Sequence, residues 1–91
     1  MANLEVELVA SDRVVWSGEA TMVSAPAAEG DVGILVGHAP LLSVLRPGTV
    51  RVRGMDGSVL TAHIDAGFLS VDANQVTVVV DSAEVLEGSR G

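Results

Sequence analysis

From Leu4 to Val80 the chain repeats one pattern: a short run of alternating apolar and polar residues, closed by a turn signal. Leu4-Glu5-Val6-Glu7-Leu8-Val9-Ala10 sets the example, with Leu4, Val6, Leu8 and Ala10 on one side. A period of two sends successive side chains to opposite faces of a strand, so each run is a strand with one wet face. Thr49-Val50-Arg51-Val52-Arg53 repeats the alternation with Val50 and Val52 inward, and Val59–Asp65 follows with Leu60, Ala62 and Ile64 on one face. Asp56-Gly57 between those two runs is a strong hairpin signal. Gly67–Val71 and Gln75–Val80 flank a turn at Asp72-Ala73-Asn74. Seventeen valines against two aromatics suit this architecture, because a branched Cβ is stiff and packs well on a pleated surface. The expected fold is all-β: a flattened antiparallel β-sandwich or barrel of about ten short strands.

The punctuation predicts further boundaries. Ser17-Gly18 breaks the strand begun by Val14-Val15-Trp16, and Pro26 closes the next one, Glu19–Ala25. Between Gly30 and Gly48, glycines and prolines bracket Ile34-Leu35-Val36 and Leu41–Leu45, giving two short strands joined by a tight corner that carries His38. Ser82 could cap a short helical start, Ala83–Glu87, that the Gly88–Gly91 tail ends at once. One domain over residues 1–83 and a frayed tail over 84–91 are therefore expected.

Charge narrows the partners. Twelve acidic residues, five arginines and no lysine give a net charge of −7. Nucleic-acid binding draws on clustered Lys and Arg to neutralise phosphates, so that class is excluded. A lipoyl or biotinyl carrier is excluded too, for want of an acceptor lysine. No apolar run approaches the roughly 20 residues that span a bilayer, and the N-terminus lacks a signal peptide's basic region, so no direct membrane insertion is expected.

Catalytic chemistry is not legible. No cysteine is available as a thiolate or a metal ligand, and His38, His63 and scattered carboxylates show no metal-ligand spacing. Asp31, His38 and Ser43 could be written as a triad, but no nucleophile elbow surrounds Ser43. Gly30-Asp31-Val32-Gly33 is a GxxG with an acid inside it, the wrong charge for holding phosphate. Trp16 and Phe68, the two aromatics, sit in apolar strand contexts and are expected in the core, as is Leu42. No catalytic residue, metal or cofactor is assigned.

Gly37-His38-Ala39-Pro40-Leu41-Leu42, with Arg46-Pro47-Gly48 downstream, resembles the N-terminal β-sandwich of the epsilon subunit of bacterial rotary ATP synthases. Trp16-Ser17-Gly18, Val50-Arg51-Val52 and Gly67-Phe68-Leu69…Asn74-Gln75-Val76-Thr77-Val78 follow in the family's order. The resemblance implies a non-catalytic central-stalk subunit that couples the gamma shaft to the membrane c-ring, on the cytoplasmic side of the bacterial membrane, assembled with alpha, beta and delta subunits. By resemblance, Glu29, Gly30, Asp31 and Gly33 face the ring, and His38, Leu42 and Ser43 lie against gamma. Val36 stands where the family often has proline, and Ala66 where it often has a second glycine. The helical hairpin into which family members usually continue has no counterpart here, so no ATP site or inhibitory role is carried over. The alternative is a stand-alone β-sandwich adaptor without catalytic activity.

Overall fold

A computed structural model describes residues 2–11 and 13–90, the last four (87–90) by backbone alone. Nine strands occur among them: β1 (Leu4–Ala10), β2 (Arg13–Ala27), β3 (Gly30–Leu35), β4 (Leu41–Leu45), β5 (Gly48–Gly54), β6 (Ser58–Ile64), β7 (Gly67–Asp72), β8 (Gln75–Val80) and β9 (Ala83–Arg90). They form one sheet in the order β1-β8-β7-β4-β2-β5-β6-β9, with β3 on β2. Because β1 also pairs with β2, the path β1-β8-β7-β4-β2 returns to its start and the sheet closes into a flattened barrel. The count is nine strands where about ten are expected, and one pairing, β1 with β8, is parallel.

β2 makes this closure. Its first half pairs with β1 from Arg13 to Ala20, and its second half pairs with β3, with β5 and, at Ala27, with β4. The expected break at Ser17-Gly18 does not occur. Backbone pairing to β1 runs through both residues, and the Trp16 indole lies beside Gly18, where an added Cβ would meet ring carbon Cζ2 at 3.0 Å. Pro26 does not end the strand either. Its carbonyl accepts from the Arg46 backbone N–H at 2.8 Å and its ring packs on Gly48. Local punctuation is overridden where neighbouring strands supply the ladder.

The end of the chain departs from expectation in the same way. Ala83–Arg90 is not a helical start followed by a frayed tail but strand β9, antiparallel to β6 with Ala83 opposite Ile64 and Leu86 opposite Thr61.

Alternation decides the interior. Leu4, Leu8, Ile34, Leu45, Ile64, Leu69 and a set of valines are fully buried, and no polar or charged residue is buried among the described residues. At β5–β6, Asp56 builds the expected turn: its Oδ1 accepts from the Ser58 N–H at 3.0 Å and from the Ser58 hydroxyl at 2.7 Å, while Gly57 takes φ +88°. His63, Arg51 and Arg53 point to solvent, as their strand phases predict.

Candidate functional site

With an all-apolar core, chemistry must lie on the outer face, and among the described residues no three His, Asp or Glu side chains converge as metal ligands. What the outer face carries instead is apolar surface. Phe68 and Leu42, expected in the core, are 56% and 76% exposed. Strand phase explains both. On β7, Leu69 and Val71 turn inward and leave Phe68 outside with Ser70; on β4, Leu45 turns inward and leaves Leu42 and Val44 outside. Trp16, by contrast, is half-buried against the core as expected.

Strand register assembles these residues. Val44 lies opposite Phe68, Phe68 opposite Val79, Val79 opposite Val9, and Val9 opposite Val14. One apolar row thus crosses five strands, about 19 Å at the usual spacing between strands. All of its members are exposed except Val9, which is half-buried. A second row, Leu42–Ser70–Thr77–Glu7–Ser17, lies beside it. A third, Asp72–Gln75–Glu5–Glu19, lies beyond that. The face therefore grades from apolar to acidic along the strands. A shallow depression of about 350 Å³ lies in the acidic part, among Glu5, Glu7, Gly18 and Glu19. Gln75 Nε2 donates to Glu5 Oε1 at 3.1 Å across β8 and β1.

The residues singled out in the sequence occupy distinct places. Glu29 sits in the two-residue turn between β2 and β3, and Gly30 follows it at φ +132°. Asp31 and Gly33 are exposed on the outer side of β3, with Val32 and Ile34 turned in. The turn is fastened to the apolar row: Ala28 N–H donates to the Val44 carbonyl at 2.9 Å, and Arg46 Nε donates to the Ala27 carbonyl at 3.2 Å. His38 lies past the opposite end of β3, about 17 Å of strand away from Gly30. It is half-buried, with Nδ1 2.7 Å from the Ala39 carbonyl. Ser43 is half-buried on the side of β4 opposite Leu42 and Val44, its hydroxyl 3.3 Å from the Val44 carbonyl. The structure brings Leu42 to the apolar face and does not bring Ser43 there. The sequence does not single out Val44, Val9 or Val14, whereas the period-two phase of Gln75–Val80 places Val79 outward between Val78 and Val80.

The corner before Pro40 is held by one side chain. Gly37, at φ +85°, donates its N–H to Asn74 Oδ1 at 2.8 Å, while the Asn74 carbonyl accepts from Glu5 N–H at 2.8 Å. Asn74 itself takes φ +66°, a conformation asparagine tolerates. Replacing Asn74 by Gly keeps the backbone and deletes the acceptor. The expected cost is about 1 kcal/mol, read as a fall in melting temperature of roughly 4–8 °C with faster exchange of the Gly37 amide. Asn74→Asp, which retains the oxygen, should recover most of the loss.

Comparison with known proteins gives this face a context. Residues 3–86 match the family model described as the ATP synthase delta/epsilon chain β-sandwich domain. The ATP synthase epsilon chain of Streptomyces avermitilis is 46% identical over 86 residues, which cover 94% of this chain and 69% of that one. The epsilon chain of Micrococcus luteus is 47% identical over 85 residues and is matched over 93% of both chains. Among solved structures, a chain of the Euglena gracilis mitochondrial ATP synthase superposes with a TM-score of 0.88 at 23% identity, covering 93% of this chain and 54% of that one. A chain of the Tetrahymena thermophila central stalk and c-ring superposes at 0.74 and 20% identity, covering 89% and 65%. At these identities the two structures speak to the fold alone.

Proposed function

The chain belongs to the ATP synthase delta/epsilon chain β-sandwich family, and on that premise we propose that it is a non-catalytic rotor subunit joining the gamma shaft to the membrane c-ring. Torque from proton flow then reaches the catalytic head without slip between shaft and ring. The observation that carries this proposal is the exposed apolar row Val44–Phe68–Val79 with Leu42 beside it. A soluble chain gains nothing by exposing such a row unless a partner covers it, since burying it on association is favourable. Gamma is that partner here, and Leu42 and Val44 make the contact rather than Ser43.

The ring contact falls to the β2–β3 turn. Glu29 and Asp31 present carboxylates beside glycines that keep the surface low, and the hydrogen bonds to Val44 and Arg46 make the turn a rigid neighbour of the apolar row. One side chain layer thus faces the shaft while the adjoining turn faces the ring. The assembly also contains alpha, beta and delta subunits and holds this chain peripherally on the cytoplasmic side of the bacterial membrane.

The test is a charge reversal in assembled enzyme. Asp31→Lys is exposed and should leave the fold intact, while proton-driven ATP synthesis by reconstituted complex drops severalfold. Unchanged synthesis with normal assembly would remove Asp31 from the ring contact. An affinity-tagged wild-type chain drawn from membranes should bring gamma and the c-ring with it; recovery of neither would overturn the rotor assignment.

A further inference from the structure

Several strand edges stay open among the described residues. The first half of β2 pairs only with β1, β3 only with β2, and β9 only with β6. β4 pairs with β7 along its length but meets β2 at Leu45 alone. An open edge is a template for another chain, and proteins blunt it with charge, proline or irregularity. Three of these edges are blunted: the first half of β2 carries Arg13, Gly18 and Glu19, β3 carries Asp31 beside Gly30, and β9 carries Glu84. β4, Leu41-Leu42-Ser43-Val44-Leu45, has no charge, glycine or proline.

The backbone of β4 defines what this edge can accept. Ala28 N–H reaches the Val44 carbonyl at 2.9 Å from the β2 side. Alternate residues of an antiparallel strand turn their backbone groups the same way, so Leu42 presents its N–H and carbonyl on that side too. The other neighbour gives the same phase. Asp81 N–H donates to the Ala66 carbonyl at 3.1 Å, which sets even-numbered β7 residues toward β8 and odd-numbered ones toward β4. Leu41, Ser43 and Leu45 therefore bond β7, opposite Val71, Leu69 and Gly67. The N–H and carbonyl of Leu42 and the N–H of Val44 are left on an edge that β2 does not reach, and no described backbone group bonds them. The Leu42 side chain stands beside them, 76% exposed.

We propose that an extended segment of gamma adds as a strand to this edge, hydrogen-bonding Leu42 and Val44 and laying an apolar side chain against them on the outer face. This deepens the docking assignment above and rests on it.

The edge specifies its occupant in three ways. A row of unpaired backbone donors and acceptors is met by an extended chain, since a helix has its own backbone groups already paired. The segment is short, because the Ala28 N–H occupies the Val44 carbonyl at one end and Pro40 precedes the strand at the other. Its outward side chains are apolar, because their cross-strand neighbours Leu42 and Val44 are exposed and apolar. A second copy of this chain is disfavoured, as each copy carries −7. The added strand would lie about 4.8 Å beyond Val44, continuing the row Val44–Phe68–Val79, so that one partner covers edge and face together.

Residue-resolved hydrogen exchange on the wild-type chain, free and bound to purified gamma, is the test. The Leu42 and Val44 amides should exchange rapidly in the free chain and slow by about a hundredfold in the complex, while the Ser43 amide is slow in both. Unchanged exchange at 42 and 44 with gamma stably attached would overturn the added strand. Slow exchange in the free chain together with a dimer's mass would assign the edge to a second copy and overturn gamma as its occupant. A variant pair isolates the hydrogen bond. Leu42→Ala and Leu42→Pro both shorten the side chain, but only proline removes the N–H, and an open edge tolerates it. Gamma should bind the proline variant about tenfold more weakly than the alanine variant; equal binding would overturn the proposal. Phe68→Asp separates the two levels. If it abolishes binding while the alanine and proline variants bind alike, the added strand is wrong and the docking face stands. If it binds gamma normally and the Leu42 and Val44 amides still slow, the added strand stands and the docking face is wrong.

Discussion

Phe68→Asp is expected to fold normally and to lose stable association with gamma, its affinity falling by about two orders of magnitude or more. Phe68 is more than half exposed, so no cavity opens in the interior when it is replaced. Its neighbours across the strands, Val44 and Val79, are exposed as well, so the folded chain has little packing to lose. In a complex the arithmetic reverses. An aromatic at the centre of a covered apolar row is where binding energy concentrates, and truncating such a residue commonly costs about 2–4 kcal/mol. A carboxylate adds the cost of a charge removed from water without a partner. The same charge placed at Val79, in the next strand, should weaken binding comparably. Thermal unfolding within a few degrees of wild type, together with loss of the gamma complex on a sizing column, is the expected pair of results.

Gly67→Ala, one residue earlier, should do the opposite: it should damage folding before binding can be measured. Gly67 is half-buried where β7 passes between β4 and β8, opposite Leu45 on one side and Val80 on the other. A Cβ there would overlap the Val79 carbonyl oxygen and lie 2.7 Å from Val80 Cα. Both are backbone atoms and cannot swing aside, so the ladder between β7 and β8 must shift. Overpacking of this kind costs about 3 kcal/mol or more, a large share of the roughly 5–15 kcal/mol that stabilises a domain. A fall in melting temperature of at least roughly 12 °C is expected. Gly33→Ala is the control. Open space surrounds that position, and removing the freedom of glycine from the unfolded chain should leave stability unchanged or raised by about 0.5 kcal/mol. Equal effects at the two positions would show that glycine entropy, rather than close backbone approach, decides the outcome at Gly67.

The strands that can be read from sequence are those whose inward phase is unbroken. β1, β5, β6, β7 and β8 fall within a residue of their expected bounds, because an inward Leu, Val, Ile or Ala recurs there at every second position, even where Val9, Phe68 and Val79 put an apolar residue in the outward phase. The β3–β4 corner was legible for the same kind of reason, since Gly37 takes the positive φ that the glycine suggested. Failures came where local chemistry and the ladder disagree. Ser17-Gly18 and Pro26 are turn residues by composition, yet β1 pairs across the first and β3 across the second. Ala83-Glu84-Val85-Leu86 favours a helix locally, and β6 offers its open edge instead. The parallel pairing of β1 with β8 leaves no trace in either strand's pattern, because parallel and antiparallel neighbours present the same alternation.

The candidate face is hard to read for a different reason. Hydrophobicity alone puts Phe68 and Leu42 inside, although Gly67-Phe68-Leu69-Ser70-Val71 has Leu69 and Val71 in one phase and Phe68 with Ser70 in the other. Phase should outrank residue type where the two conflict, and an apolar residue left in the polar phase is a candidate contact. β4 could not have been resolved that way, since Leu41-Leu42-Ser43-Val44-Leu45 carries apolar residues in both phases. The alignment of Val44, Phe68, Val79, Val9 and Val14 depends on register between strands distant in sequence, which composition does not contain.

The central claim, that gamma covers the outer face of β4, β7 and β8, is tested most directly by site-specific photocrosslinking in intact membranes. A photoreactive amino acid would replace Leu42, outward on β4, and in a separate variant His63, outward on β6. The account predicts a crosslink to gamma from position 42 and none from position 63. A crosslink to gamma from position 63 with none from position 42 would contradict it.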